Sequence, residues 1–212
     1  MELREHWDHV YATRSPIEVS WYQREPRVSL DLIARVAPRR DAAIVDVGGG
    51  ASTLVDALLE RGYHDVTVLD IAAAALEAAG ARLGARAGLA RWVVADVLRH
   101  RFAPGSIDVW HDRAVFHFLT EAADRRAYVA QVARAVRPGG HVIVATFAED
   151  GPDRCSGLTV CRYSPEALHA EFGAAFALEA KVFEDHVTPS GGHQRFQYCL
   201  CAVHDPVRAA AA

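Results

Sequence analysis

The stretch Ala43-Ile44-Val45-Asp46-Val47-Gly48-Gly49-Gly50-Ala51-Ser52 decides how the rest of the chain is read. An apolar run of strand length carries one acid and then breaks into glycines. Glycine has no Cβ, so such a loop turns with positive φ and lets a ligand approach where a side chain would otherwise stand. Asp46 selects among ligands. A loop that holds a pyrophosphate gathers N–H donors at a helix N-terminus, and a carboxylate beside it repels the phosphates. The sequence therefore favours a cationic amino-acid nucleoside over a dinucleotide.

Further strands also end in acids. Asp65 to Leu69 reads as a short buried strand with Asp70 at its carboxyl end, about 20 residues past the glycines, where a carboxylate can accept ribose hydroxyls. Arg91 to Ala95 ends in Asp96, and Ile107 to His111 ends in Asp112. In open α/β sheets the ligand crevice lies outside the carboxyl ends of the strands, so these acids are expected to converge. Between the strands, Leu54, Val55, Leu58 and Leu59 repeat at helical spacing, and Ala72 to Leu83 gives a second crossover helix. A third is expected from Glu121 to Val136 behind a Thr120 cap, with Val129, Val132, Ala133 and Val136 facing inward. Arg137-Pro138-Gly139-Gly140 stops it, and His141 to Phe147 is the fifth strand. Ser164-Pro165-Glu166 opens a helix reaching Phe172. Strands over 177–187 and 194–203 flank the turn Pro189-Ser190-Gly191-Gly192. The pattern predicts an α/β, Rossmann-like doubly wound sheet of seven strands, mostly parallel with a C-terminal antiparallel hairpin. Residues 1–40 form a lid and cap helices, 41–204 the ligand-binding core of the same domain, and 205–212 a frayed tail.

Taken in order, Val45-Asp46-Val47-Gly48-Gly49-Gly50, Val68-Leu69-Asp70-Ile71, Val94-Ala95-Asp96-Val97, Ile107-Asp108-Val109-Trp110-His111-Asp112 and Arg137-Pro138-Gly139-Gly140-His141 resemble the class I S-adenosylmethionine (SAM)-dependent methyltransferases over nearly the whole chain. The pieces are weak singly and strong in this order and spacing. The resemblance implies that Asp46 with Gly48, Gly49 and Gly50 holds the methionine end of SAM, Asp70 with Ile71 the ribose, and Asp96 the adenine amino group, with Val97 packed near the ring. It implies S-adenosylhomocysteine as product, and it too implies the terminal hairpin. Ser52 stands where many relatives carry another glycine.

Composition bounds the reading. With 212 residues, 51% of them apolar, the chain suits one domain with a sizeable core. A net charge of −4 offers no basic field for nucleic acid. No apolar run is long enough to span a bilayer and 1–12 carry no signal-peptide pattern, so a cytoplasmic protein with reduced cysteines is expected. Cys155, Cys161, Cys199 and Cys201 lack zinc-ribbon spacing and are read as buried thiols, with no metal.

Three segments outside the cofactor scaffold are expected to choose the substrate. Trp7, Tyr11, Trp21 and Tyr22 crowd the N-terminus, where aromatic faces either pack a lid or meet a sulfonium by cation-π attraction; Trp21 and Tyr22 are assigned to the cofactor. His111 to Phe118 follows the fourth strand, where the reactive methyl should point, and its available bases are His111, Asp112 and His117. The bland alternative pairs Asp112 with Arg113 and makes His117 a helix cap. Phe147 to Tyr163 forms a third wall. Asp112-Arg113-Ala114 with the Trp-rich start is similar to thiol and thiopurine methyltransferases, whereas Trp7-Asp8-His9-Val10-Tyr11 also resembles small protein-lysine methyltransferases. The reading is a methyltransferase acting on sulfur, nitrogen or oxygen of a small molecule, a thiol among the acceptors, with a protein lysine as the alternative. A nicotinamide-dependent oxidoreductase is disfavoured by Asp46 and by the presence of a single lysine, Lys181. A non-catalytic SAM-binding subunit is disfavoured by the retained aromatics and Asp112. The oligomeric state is not legible.

Overall fold

The computed structural model describes residues 3–204. The expected tail lies outside the described residues. Two helices, α1 (Leu3–Thr13) and α2 (Arg27–Val36), lead into the sheet. Its first half runs β1 (Ile44–Val47), α3 (Leu54–Glu60), β2 (Val66–Asp70), α4 (Ala73–Leu83) and β3 (Ala90–Val94). The second half runs β4 (Ile107–Arg113), α5 (Ala122–Ala135), β5 (Val136–Phe147), a short hairpin of β6 (Arg154–Cys155) and β7 (Leu158–Thr159), α6 (Pro165–Phe172), β8 (Phe176–Val187) and β9 (His193–Val203).

Every residue of β1 and β2 is buried, because helices cover both faces of the parallel part of the sheet. The strand order is β3-β2-β1-β4-β5-β9-β8. The chain works outward from β1 in one direction and from β4 in the other, so the topological switch lies between these two strands. Their parallel register sets Asp46 opposite His111 and Val47 opposite Asp112. Alternation along each strand divides the core in two. Ile44, Val109 and Ile143 pack with α2, α3 and α4, whereas Val45, Trp110 and Val144 pack with α5 and α6.

The C-terminal pair is antiparallel, as expected, and β9 joins it to β5 with Val144 opposite Cys199. A register shift between Leu178 and Ala180 moves β8 from one layer to the other: Leu178 packs toward α6 and Ala180 toward the opposite core. Cys199 and Cys201 share the α6 layer, and burial pushes both thiols up to about 12.

The Ser164 cap forms, its hydroxyl accepting from Ala167 N at 3.1 Å. The Thr120 cap does not. Glu121 occupies the cap position of α5 without a side-chain bond, and the carbonyls of Leu119 and Thr120 instead accept from Arg125 at 3.0 and 2.9 Å. Ala133, expected inward, is exposed, while Tyr128, Val132 and Ala135 are buried. The reason is polar as well as apolar. Trp110 Nε1 donates to the Tyr128 hydroxyl at 2.8 Å, which donates to Asp112 Oδ2 at 2.5 Å, and this chain fixes which face of α5 turns inward.

Burial pushes the Asp112 carboxyl up to about 6, despite the Tyr128 hydroxyl and the Val115 and Phe116 amides that favour its ionised form. A pKa raised above the ordinary value of about 3.9 contributes stability below that pH and loses it as pH rises through the folded value. Tyr128→Phe deprives the carboxylate of a donor and leaves Trp110 Nε1 unpaired. We expect a loss of about 1–3 kcal/mol in urea unfolding, larger above about pH 7 than below about pH 4. An unchanged midpoint would show that this chain carries no stability.

Candidate active site

At the carboxyl ends of β1, β2 and β4 lies a cavity of about 470 Å³, its walls including Gly48, Asp70, Ile71, Asp96 and Val97. A side chamber of about 50 Å³ is lined by Asp46, Gly49, Tyr22, Gln23 and His111 among others. Tyr11, Trp21, Gly48 and Arg113 line both spaces and form the border between them. The larger volume falls within the roughly 300–1,000 Å³ usual for small-molecule sites.

The glycine loop is shaped by close approach. Gly48 has φ +64°, and a Cβ there would lie 1.9 Å from Val115 Cγ2. Gly50 has φ +47°, and its Cβ would lie 2.7 Å from the Tyr11 hydroxyl and 3.2 Å from Asp70 Oδ2. Gly50 lines neither space; its missing side chain leaves room for the Tyr11 hydroxyl. The amides of Gly48 and Gly49 both donate to Leu69 O, at 2.7 and 3.2 Å, which ties the loop to β2.

Each acid has a distinct environment. Asp46 Oδ1 accepts from His111 Nδ1 at 2.7 Å, and His111 Nε2 lies 2.8 Å from Ser29 Oγ. Asp70 Oδ1 accepts from Ala72 N at 2.8 Å. Burial, with Asp46 adding like charge, pushes the Asp70 carboxyl up to about 7 against the pull of neighbouring amides. Asp96 Oδ1 accepts from Leu98 N at 2.8 Å, and its other oxygen is 3.5 Å from Arg99 Nε.

The three expected bases do not meet at the cavity. Asp112 is turned into the α5 layer, where Val115 N at 2.8 Å, Phe116 N at 3.1 Å and the Tyr128 hydroxyl occupy its oxygens. Among the described residues it pairs with no arginine. His117 is fully buried against Phe118 and Phe147, and burial pushes it down to about 3, so it is neutral. Neither of its ring nitrogens has a partner among the described residues. His111 reaches only the side chamber and spends both nitrogens on Asp46 and Ser29. Alternation along β4 is the reason, since Asp112 follows Trp110 onto the face opposite His111.

Residues 45–144 match the family model described as a methyltransferase domain. That stretch, just under half of the chain, is similar to a methyltransferase domain, which supports the resemblance read from the sequence. Among curated proteins the chain is 30% identical over 123 residues to the ubiquinone biosynthesis O-methyltransferase of Xylella fastidiosa (strain 9a5c), a match covering 57% of this chain and 48% of the relative. The chain spans about half the length of the curated relatives it matches. Among solved structures, the 1,6-didemethyltoxoflavin-N1-methyltransferase of Burkholderia thailandensis, bound to 1,6-didemethyltoxoflavin and S-adenosylhomocysteine, aligns with a TM-score of 0.69 at 20% identity, covering 96% of this chain and 88% of that one. A protein of echinomycin biosynthesis, concerned with conversion of a disulfide bond into a thioacetal group, aligns with a TM-score of 0.75 at 20% identity over 99% of this chain and 97% of that one. At these identities the structural likeness establishes the fold.

Sequence reading missed the tie that holds the N-terminal segment against the sheet. Arg113 Nη2 donates to Glu184 Oε2 at 3.1 Å, its Nε to the Tyr198 hydroxyl at 3.0 Å and its Nη1 to Trp21 O at 3.2 Å. Gln23 Nε2 donates to the other Glu184 oxygen at 2.6 Å, and the Phe196 ring lies 4.0 Å below the guanidinium. Above this tie, Trp7 stacks edge-on with Trp21 and Phe118 at 5.7 and 5.2 Å, closing α1 over the cavity. An arginine after the fourth strand and an acid 71 residues later carry no local signal that they meet.

The Arg113 and Glu184 side chains are only 9% and 12% exposed, so losing one leaves a buried charge. Glu184→Gln should destabilise the protein by about 3–5 kcal/mol in urea unfolding. A double variant with Arg113→Met should recover part of that loss. Additive losses in the double-mutant cycle would show that the pair is not coupled.

Proposed function

We propose that this chain transfers the methyl group of SAM to sulfur, nitrogen or oxygen of a small molecule and releases S-adenosylhomocysteine. The observation that carries the reading is the two-part site with a buried acid on each side of the Tyr11-Trp21-Gly48-Arg113 border: Asp46 in the side chamber, Asp70 in the larger cavity. The residues fit the cofactor. Asp46 suits a cationic amino-acid end, with its orientation set by His111, and Asp70 suits paired ribose hydroxyls. Asp96 suits an exocyclic amino group, with Ile71 and Val97 as apolar walls for a ring. SAM, when bound, supplies a methyl carbon made electrophilic by its sulfonium. The protein's own task is to position and to exclude water, which α1 and the aromatic pair Trp21 and Tyr22 perform as a lid.

The enclosure by α1 favours a small acceptor over a lysine on a folded protein. The named activities of the two compared methyltransferases are an O-methylation and an N1-methylation, which supports leaving both atoms open. No helix among the described residues is long and apolar enough to cross a membrane, which is compatible with the proposed cytoplasmic location.

Calorimetric titration with SAM, S-adenosylhomocysteine and NADH tests this. We expect the two adenosyl ligands to bind and NADH not to; the reverse pattern would reject the reading. Asp70→Ala should weaken SAM binding at least about tenfold, a cost of about 1.4 kcal/mol or more. Because Asp70 is pushed up to about 7 without ligand and the ribose calls for its carboxylate, SAM affinity should rise as pH is raised through about 7. Stability without ligand runs the opposite way: the contribution present below about pH 4 is lost as pH climbs through the folded value. A flat affinity profile, or an Asp70→Ala variant that binds normally, would remove Asp70 from the ribose role.

A further inference from the structure

On the proposed function, on which this inference rests, the amino-acid end of the cofactor enters the side chamber beside Asp46. Behind that acid runs a relay of three buried side chains from three elements. Ser29 of α2, His111 of β4 and Asp46 of β1 are 0%, 2% and 3% exposed. The Asp46 carboxylate accepts from His111 Nδ1 at 2.7 Å, which places a proton on that nitrogen and leaves Nε2 as an acceptor. The Ser29 hydroxyl, 2.8 Å away, supplies the hydrogen, so a helix residue is committed to a strand residue 82 positions along the chain. A ring that donates at Nδ1 and accepts at Nε2 is uncharged.

The relay takes one oxygen of Asp46. The other, Oδ2, lies beside Gly49, where a Cβ would stand 2.6 Å from it, and Gly49 lines the chamber. Close approach to the carboxylate, and no unusual φ, calls for glycine at this position. The cations nearby are already matched. Arg113, the only arginine or lysine on the chamber wall among the described residues, gives Nη2 to Glu184 at 3.1 Å and Nη1 to Trp21 O at 3.2 Å. Arg82 is spent on Asp56 Oδ2 at 2.6 Å and on the carbonyls of Ala51 and Ser52 at 2.7 and 2.6 Å. Tyr22, Gln23 and Ser52 offer the chamber hydroxyls and an amide. The chamber thus holds one unmatched charge, and it is negative. Its volume, about 50 Å³ against roughly 30 Å³ for a water molecule in the liquid, suits one small charged head and not two.

We infer that Ser29 and His111 are positioning residues that hold Asp46 Oδ2 for an ammonium group, so that the protein reads the amine of the cofactor's amino-acid end and not its carboxylate. Neither residue touches the reacting atoms. A carboxylate gripped at one oxygen by a ring, which is itself gripped from α2, is held in one direction before the ligand arrives. A ligand carboxylate meets no free cation in the same chamber and stands near Asp46, so its removal costs little. The ligand class that follows is an adenosyl thioether or sulfonium bearing an aliphatic amine, with or without a carboxylate.

Calorimetry on the full chain compares S-adenosylhomocysteine, the same thioether without its carboxylate, the same without its amine, and methylthioadenosine, which lacks both. Loss of the amine should weaken binding at least about tenfold, the effect of one hydrogen bond to a charged group, and loss of the carboxylate less than about threefold. Ser29→Ala should weaken the two amine-bearing ligands by about three- to tenfold and leave the other two within about twofold. A Ser29→Ala change shared by all four ligands, or none at all, would overturn the inference. Asp46→Asn keeps the shape of the acid, leaves α2 untouched and should erase the preference for the amine. A preference that survives it would overturn the inference, as would a carboxylate whose loss costs as much as that of the amine. If none of the four ligands binds, the proposed function falls and the inference with it. Binding of all four without regard to the amine removes the inference alone.

Discussion

Three carboxylates are buried at the carboxyl ends of adjacent strands, and the architecture depends on how each is satisfied. Asp46, Asp70 and Asp112 are 3%, 7% and 0% exposed. An unpaired buried carboxylate is costly, so each demands donors, and the donors bring together distant parts of the chain. Asp46 draws His111 and, through it, Ser29 of α2. Asp112 draws Tyr128 of α5 and the two amides that follow β4. Asp70 makes its partners from the start of the next helix. The helices on both faces are thus oriented by polar chains as well as by apolar packing.

The same pairing separates an acid of the scaffold from an acid of the site. In sequence, Asp70, Asp96 and Asp112 look alike, each closing a strand in the order a doubly wound sheet requires. The strand ends, the crossover helices and the terminal hairpin were legible because they depend on periodicities of two and 3.6 and on glycine and proline punctuation. The direction of a side chain at a strand end was not, because it depends on where the last paired residue falls. β4 continues to Arg113, two residues past the expected end, and that extension fixes Asp112 in the α5 layer and Arg113 at the cavity. Ala133 was misread for a similar reason. Apolar spacing alone ignored the demand of Trp110 and Asp112 for the Tyr128 hydroxyl.

Arg113 shows what a linear reading cannot supply. Its guanidinium sits over Phe196, faces Glu184 and Tyr198, and bonds the carbonyl of Trp21, so one side chain joins β4, β8, β9 and the N-terminal segment. Arginine suits this because its planar fork satisfies several acceptors at fixed angles while its face stacks on a ring. The crowding of the N-terminal aromatics was legible, and the structure sets Trp7, Tyr11 and Trp21 along the cavity. What anchors this segment was not, since its partners lie at positions 113, 184 and 198.

The glycine loop and the lid are consequently one device. A Cβ at Gly50 would collide with the Tyr11 hydroxyl, and one at Gly48 with Val115. The loop is therefore glycine-rich for two reasons that sequence conflates: Gly48 borders both ligand spaces, whereas Gly50 makes room for a residue of α1. Tyr11 in turn stands beside Asp70 with its phenol held neutral, so it presents a hydroxyl and not a second negative charge next to a carboxyl already pushed toward neutrality. Closing α1 withdraws water from Asp70 and strengthens every electrostatic contact it makes. A lid that merely covered the site would raise the cost of keeping Asp70 charged. A helix that also carries a hydroxyl to the rim of the glycine loop shapes the space it covers, which makes the N-terminal helix part of the cavity wall.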